Sequence, residues 1–161
     1  MVTGKSGFAG EFGHIHLSDN NKQCICGKKG CLGTIVGGTA LEEIYNSEGS
    51  LKGKSIKQLN YKEIIKLSKG NDKKSDLLIN DMGIELGKAF SILLQIFNPE
   101  LIIISGSFTQ IGDKLIYPIA KGINLYGLPG IVNDCDVRIS NLGESAIMLG
   151  AFSLVFEKIF I

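Results

Sequence analysis

The sequence predicts an α/β fold, rich in helix, with a metal-stapled loop near its amino terminus. Three observations carry this. Residues 101–105 read LIIIS, a continuous and mostly β-branched run. Such runs mark strands buried on both faces of a covered sheet. Between residues 74 and 97, apolar side chains fall at 78, 82, 86, 89, 90, 93, 94 and 97, which matches a helical repeat. Cys24, Cys26 and Cys31 stand in CICGKKGC, shortly after His14 and His16.

The elements follow in order. Residues 1–13 are glycine-rich and read as a turn leading into a short strand, Gly13–Leu17. After the cysteine loop, Thr39 with Glu42 three residues on has the pattern of a capping box for a helix over 40–47 that stops near Gly49. Leu51–Asn60 reads as a loop with a short hydrophobic anchor. Asn60 can cap a second helix over 61–69, with Ile64, Ile65 and Leu67 apolar and Gly70 as its stop. The helix over 74–97 carries Gly83 and Gly87 in its middle. Each costs about 1 kcal/mol relative to alanine, so close packing against another backbone is the expected reason for them. Asn98-Pro99 ends that helix. The strand Leu101–Ser105 runs into Gly106, and a turn at the carboxyl end of such a strand is where α/β folds place ligands. A helix over 112–123 follows, kinked or divided by Pro118. Tyr126–Asp134 is a loop, Val137–Ser140 a short strand, and Glu144–Phe160 a last helix. Its expected packing positions include Ala146, Leu149, Gly150, Phe152, Ser153 and Phe156.

The cysteine loop carries the chemistry. Zinc favours four soft or borderline ligands in a tetrahedron, and three thiolates with one imidazole is a usual structural set. Gly27 and Gly30 let the C-x-C-x₄-C run fold back so that its sulfurs converge. His14 and His16 lie two apart and would share a face of a strand, so spacing leaves either as the fourth ligand. A Cys26–Cys31 disulfide would need an oxidising compartment, and no signal peptide is legible. Unligated thiols buried as small hydrophobes fit poorly with so polar a loop. A metal is the expected occupant, and it would staple a loop that has little apolar content of its own. Cys135 lies far away in an Asn/Asp-rich stretch and reads as a bystander.

At 161 residues, 44% apolar and 20% charged, the chain suits about one globular domain. A net charge of +1 gives no electrostatic reason for nucleic-acid binding. Lysines cluster between Lys52 and Lys74 but are interspersed with Glu63 and Asp72, the pattern of a solvated helix face. No apolar run approaches the ~18–20 residues of a membrane span. Reduced thiols without a targeting segment point to the cytoplasm.

GFAGEFGHIHL (7–17), CICGKKGCL (24–32) and GGTAL (37–41) together resemble the signature of the ROK family (repressor, open reading frame, kinase). That signature reads approximately G-x-A-G-E-x-G-H, then C-x-C-G-x-x-G-C-L-E, then a small-residue segment opening a helix. FNPELIIISGSF (97–108) and LGESAIMLGAFSLV (142–155) are similar to later family segments. The resemblance implies that residues 1–161 are the carboxy-terminal portion of a ribonuclease H-like, actin-like ATPase fold, with a zinc loop over 14–31. It selects His14 to join Cys24, Cys26 and Cys31 as zinc ligands. It also implies that Glu11 and His14 bind sugar hydroxyls, and that Gly106 and Ser107 lie near a nucleotide.

Two departures from the family pattern bear on function. The family's next sugar ligand is a glutamate directly after C-L, and here that position is Gly33. The family's amino-terminal domain, with its phosphate loop and catalytic aspartate, is expected to be absent from these 161 residues. Neither Asn80-Asp81 nor Asn133-Asp134 matches the position of that base. The resulting expectation is the sugar-sensing effector half of a ROK transcriptional regulator, not catalytically competent alone. One alternative is the carboxy-terminal fragment of an ATP-dependent ROK sugar kinase. Another is a zinc-stapled oligomerisation domain working through the glycine-notched helix. The expected partners are a sugar or sugar derivative and further copies of the chain. ATP would enter only with the amino-terminal half of a kinase, DNA only through an absent amino-terminal domain, and no membrane is expected.

Overall fold

Helices dominate the observed order of elements. A computed structural model describes residues 2–47 and 58–160. They divide into two compact units, residues 1–64 and 65–161.

The first unit begins with irregular backbone and 3₁₀ turns at Phe12–His14 and Leu32–Thr34, followed by helix α1, Gly38–Ser47. The expected strand at Gly13–Leu17 does not form. The chain turns through Phe12–His14 and leaves only an isolated antiparallel bridge between His16 and Cys31. The Thr39–Glu42 capping box does not form either. Thr39 lies inside α1, and the Glu42 carboxylate instead accepts the Tyr61 N–H at 2.8 Å. That acceptor ties α1 to the start of helix α2, Tyr61–Lys69, and Asn46 adds a reciprocal pair of bonds with the backbone of Leu59. The reciprocal cap belongs to α2: the Asn60 side chain accepts the Glu63 N–H, and Glu63 accepts the Asn60 N–H, both at 3.0 Å. Leu32, Ala40, Leu41 and Ile64 are buried. The expected stop near Gly49 and most of the loop Leu51–Asn60 lie outside the described residues.

The second unit is built on helices α3, Lys73–Phe97, and α4, Asp113–Tyr126. Asp72 caps α3 by accepting the Ser75 N–H at 2.9 Å, and Asn98 ends it in the left-handed region at φ +41°. The chain turns out of α2 at Asn71, φ +62°, rather than at Gly70. The buried stripe of α3 runs through Ile79, Met82, Ala89, Phe90 and Leu94, whereas Phe97 is exposed. Gly83 and Gly87 pack against α4 as expected. A Cβ on Gly83 would lie 2.6 Å from the Pro118 ring, and one on Gly87 would lie 2.8 Å from the Cα of Gly122. The notch is thus filled within the chain and is not a free surface for a second copy. Pro118 neither divides α4 nor ends it, and it is buried in that contact.

Strands β1, Leu101–Ile104, and β2, Asp136–Ile139, pair in parallel, with Leu101 opposite Asp136 and Ile104 opposite Ile139. α4 is the crossover between them, as parallel pairing requires. Ile102 and Ile104 are half-buried, but Leu101 and Ile103 are exposed, Ile103 by 62%. The LIII strand is therefore not covered on both faces. Helix α5, Ser145–Phe160, departs further: it has no buried residue. The expected packing positions Leu149, Gly150, Phe152, Ser153 and Phe156 are all exposed.

A network holds α2, α3 and α4 together. The Lys114 ammonium donates to the Ser68 carbonyl at 2.7 Å, to Asn71 Oδ1 at 3.0 Å and to both Asp76 oxygens at 3.0 Å. The buried Ser68 hydroxyl donates to Asp76 at 2.6 Å.

Candidate metal centre

The cluster of His14, Cys24, Cys26 and Cys31 assembles from two short backbone devices. In the first, the Gly27 N–H donates to the Cys24 carbonyl at 2.9 Å, closing a tight turn that holds Cys24 and Cys26 side by side. Gly27 sits at φ +85°, a conformation that a side chain would strain. The Cys24 N–H then donates to Lys28 O at 2.7 Å, so the chain doubles back toward Cys31. In the second device, Leu17 N donates to Gly30 O and Leu32 N to Ile15 O, each at 2.9 Å. These bonds lay the His14 segment against Cys31.

The ligand atoms of His14, Cys24, Cys26 and Cys31 all lie within 4.8 Å of one another. His14 Nδ1 is 3.3 Å from Cys24 Sγ, and Cys26 Sγ is 3.6 Å from Cys31 Sγ. Four ligands placed tetrahedrally at zinc bond lengths stand about 3.6–3.8 Å apart, so the donor set and its spacing fit a four-coordinate ion. His16, the other candidate by spacing, is not in the cluster. Its ring lies against Gly30, where a Cβ would come within 2.7 Å of His16 Nε2. Cys135 is also outside it, and its thiol contacts the Asp136 carbonyl.

The thiols differ in proton affinity. Burial pushes the Cys31 thiol up to about 11, and its sulfur neighbours act in the same direction. A backbone hydrogen bond from Lys28 is the main cause holding Cys26 below its ordinary value. A bound cation would have to displace the Cys31 proton.

Glu11 precedes the 3₁₀ turn that carries His14, and its carboxylate stands 3.7 Å from His14 Nε2. With Nδ1 aimed at the sulfurs, Nε2 is the free ring nitrogen. The separation is too long for a hydrogen bond. A cavity of about 320 Å³ adjoins the cluster, with His14, Cys24, Gly33, Thr34, Thr39 and Glu43 among its lining residues. Glu11 is not one of them. A larger depression of about 530 Å³ is lined by Glu42, Asn46 and Asn60 and by none of the four cluster residues. Glu42 and Asn46 are already committed there to the structural bonds described above.

Gly106 and Ser107 occupy the turn after β1. Gly106 is at φ +92°, and its N–H donates to Gly143 O at 3.3 Å. The Ser107 hydroxyl donates to the Glu144 carboxylate at 2.6 Å. Sequence reasoning missed Glu144, because no local pattern links positions 37 residues apart. It likewise missed the Lys22–Glu43 ion pair, 3.3 Å, whose two residues also line the cavity.

The sequence matches the model of the ROK family across residues 1–158. A glucokinase from Thermotoga maritima is 30% identical over 168 residues, covering 99% of this chain and 53% of that protein. The DNA-binding transcriptional dual regulator NagC of Escherichia coli is 32% identical over 159 residues, covering 96% of this chain and 39% of that protein. Among solved structures, a ROK family transcriptional regulator described as a homologue of an E. coli Mlc protein superposes with a TM-score of 0.82 at 28% identity. The alignment covers 93% of this chain and 39% of the regulator. The chain spans about half the length of the glucokinase and less of the regulators.

Proposed function

The chain belongs to the ROK family, and on that premise we propose that it is the sugar-sensing effector half of a ROK transcriptional regulator, built around a structural zinc ion and without catalytic competence alone. His14, Cys24, Cys26 and Cys31 hold the zinc. Four protein ligands close the coordination sphere, so the ion orders the loop rather than activating water. Glu11 and His14 Nε2 face one another across 3.7 Å. A sugar hydroxyl between them can donate to the carboxylate and accept from the imidazole N–H.

The observation that carries the regulatory reading is Gly33. It lines the cavity beside His14 and brings no side chain to it. A kinase must hold its sugar hydroxyl in line for transfer, whereas a sensor needs only differential binding. The glucokinase match, which takes in 99% of this chain, favours a second reading: the carboxy-terminal half of an ATP-dependent sugar kinase. There Gly106 and Ser107 would lie by the nucleotide.

The test combines elemental analysis with calorimetry against N-acetylglucosamine, N-acetylmannosamine, glucose, xylose and a non-hydrolysable ATP analogue. One zinc per chain with sugar binding and no nucleotide binding is the expected result. Nucleotide binding would move the assignment to the kinase half. Silence toward every sugar from a zinc-loaded, folded chain would overturn both readings.

A further inference from the structure

The three thiols of the metal cluster are unequally open to solvent. Cys24 and Cys31 are buried, Cys31 with 1% of its surface exposed, whereas Cys26 is exposed. Cys26 stands between Ile25, which is 99% exposed, and Gly27, whose Cβ position has nothing within 4 Å. Lys28 and Lys29, both exposed, follow it in the chain. An exposed sulfur in a cationic segment is the kind that meets oxidants first.

A second sulfur stands ready behind it. Cys26 Sγ lies 3.6 Å from the buried Cys31 Sγ. A disulfide needs about 2.0 Å, so about 1.6 Å has to be closed. Residues 27–30 between them are two glycines and two exposed lysines, with no packed side chain to resist that movement. Zinc has no redox chemistry of its own, so an oxidant reaching the site acts on sulfur.

We propose that Cys26 and Cys31 form a peroxide-sensitive pair, which oxidation joins in a disulfide with release of the ion from the loop. The inference rests on the zinc reading of the cluster and not on the sugar. The Cys26 thiolate attacks one oxygen of hydrogen peroxide; the O–O bond breaks and hydroxide leaves, which makes Cys26 a sulfenic acid. The Cys31 thiolate then attacks the Cys26 sulfur, and the S–S bond forms as the S–O bond breaks and a second hydroxide leaves. The two sulfurs together give up two electrons, and the peroxide takes them. His14 and Cys24 then remain as two ligands where zinc requires four. The Leu17–Gly30 and Leu32–Ile15 backbone bonds do not involve sulfur. They keep the His14 segment beside Cys31, so reduction by a thiol returns all four ligands to one place.

Peroxide titration of the zinc-loaded chain tests this. Hydrogen peroxide should move all the bound zinc to a colorimetric chelator, in step with loss of the Cys26 and Cys31 thiols. Trypsin cuts after Lys22, Lys28 and Lys29, so the disulfide should link Gln23–Lys28 to the peptide beginning at Gly30. Fragmentation between Cys24 and Cys26 identifies the sulfur. Dithiothreitol with zinc should restore the starting metal content. Cys26→His keeps a four-ligand set and should hold its zinc at least about tenfold longer under the same peroxide. If that variant loads no zinc, the peptide map of the unsubstituted chain decides alone. Cys135→Ser, outside the cluster, should respond as the unsubstituted chain does. A linkage through Cys24, a sulfinic acid at Cys26 without a disulfide, or equally fast zinc loss from Cys26→His overturns the proposal. So does zinc release that disappears in Cys135→Ser. A chain without zinc before peroxide overturns the zinc reading as well, whereas a zinc-loaded chain that resists peroxide overturns this proposal alone.

Discussion

Gly33→Glu should strengthen sugar binding, and the size of the gain can be worked from the local geometry. Gly33 lies in the Leu32–Thr34 turn with an ordinary backbone conformation and an exposed position. A Cβ built there meets only the Gly13 carbonyl oxygen, at 3.3 Å, and nothing else within 4 Å. The carbonyl must yield by a few tenths of an ångström, a cost well under 1 kcal/mol for a short loop segment. The new carboxylate enters the cavity shared with His14. A hydrogen bond to a charged group contributes about 1.5–3 kcal/mol, which is about 10- to 150-fold in Kd. Titration calorimetry of the zinc-loaded chain and its variant against glucose and N-acetylglucosamine measures this directly. Gly33→Gln separates charge from hydrogen bonding and should recover about half the gain in free energy. A variant that keeps its zinc and melting temperature but binds no sugar more tightly would refute the placement of the sugar at His14 and Gly33.

Further outcomes follow from the same structure. Cys26→Ser should lose the metal and lower the melting temperature of the chain. Cys26 is exposed, so the loss cannot come from a cavity, and an unchanged melting temperature would mean the ion is no staple. Metal affinity in a competitive chelator titration should rise at least tenfold per pH unit between about pH 6 and 8, because Cys31, whose thiol burial pushes up to about 11, must give up its proton on binding. Gly87→Ala should cost about 2 kcal/mol net in urea denaturation. The added methyl meets backbone on α4, and overpacking of that kind exceeds the helix-propensity gain of about 1 kcal/mol. Gly150→Ala, with nothing within 4 Å of its Cβ, should have the opposite sign. Lys114→Met should destabilise by about 1 kcal/mol, a modest figure because both partners are partly solvated. The Ser68 hydroxyl, with Lys114, holds the Asp76 carboxyl below its ordinary 3.8. The folded chain therefore takes up this proton less readily than the unfolded one. Stability from Asp76 is full above about pH 5 and declines as pH falls through 3.8 and below. Asp76→Asn should flatten that part of a pH–stability curve.

Local signals carried the reading furthest where a short segment sets its own geometry. The cysteine spacing and Gly27 were enough to predict converging sulfurs, because the turn that joins them spans only Cys24–Gly27. The choice between His14 and His16 was not legible from spacing, since it depends on whether Gly13–Leu17 is extended. The chain turns there instead, and Gly30 receives the His16 ring. Gly83 and Gly87 were readable as a close contact but not as a contact with Pro118 and Gly122, because nothing local pairs two helices. The Thr39–Glu42 pattern failed for the same reason: a distant donor, the Tyr61 N–H, competed for the carboxylate. Ser107 and Glu144 meet only after the strand pairing is made.

The two largest discrepancies share one physical origin. LIII and the α5 sequence both specify burial on more sides than the chain provides. Apolar patterning records the environment in which a segment is stable, whichever part of the molecule supplies it. Ile103 at 62% exposure and Ile147 at 76% are therefore unmet requirements, not errors of periodicity: β1 does form a strand and α5 does form a helix. Where the chain supplies its own cover, as at Met82, Ala89, Phe90 and Leu94, pattern and burial agree. Among the described residues they part most at the sheet face and the last helix, and at Phe97 where α3 ends.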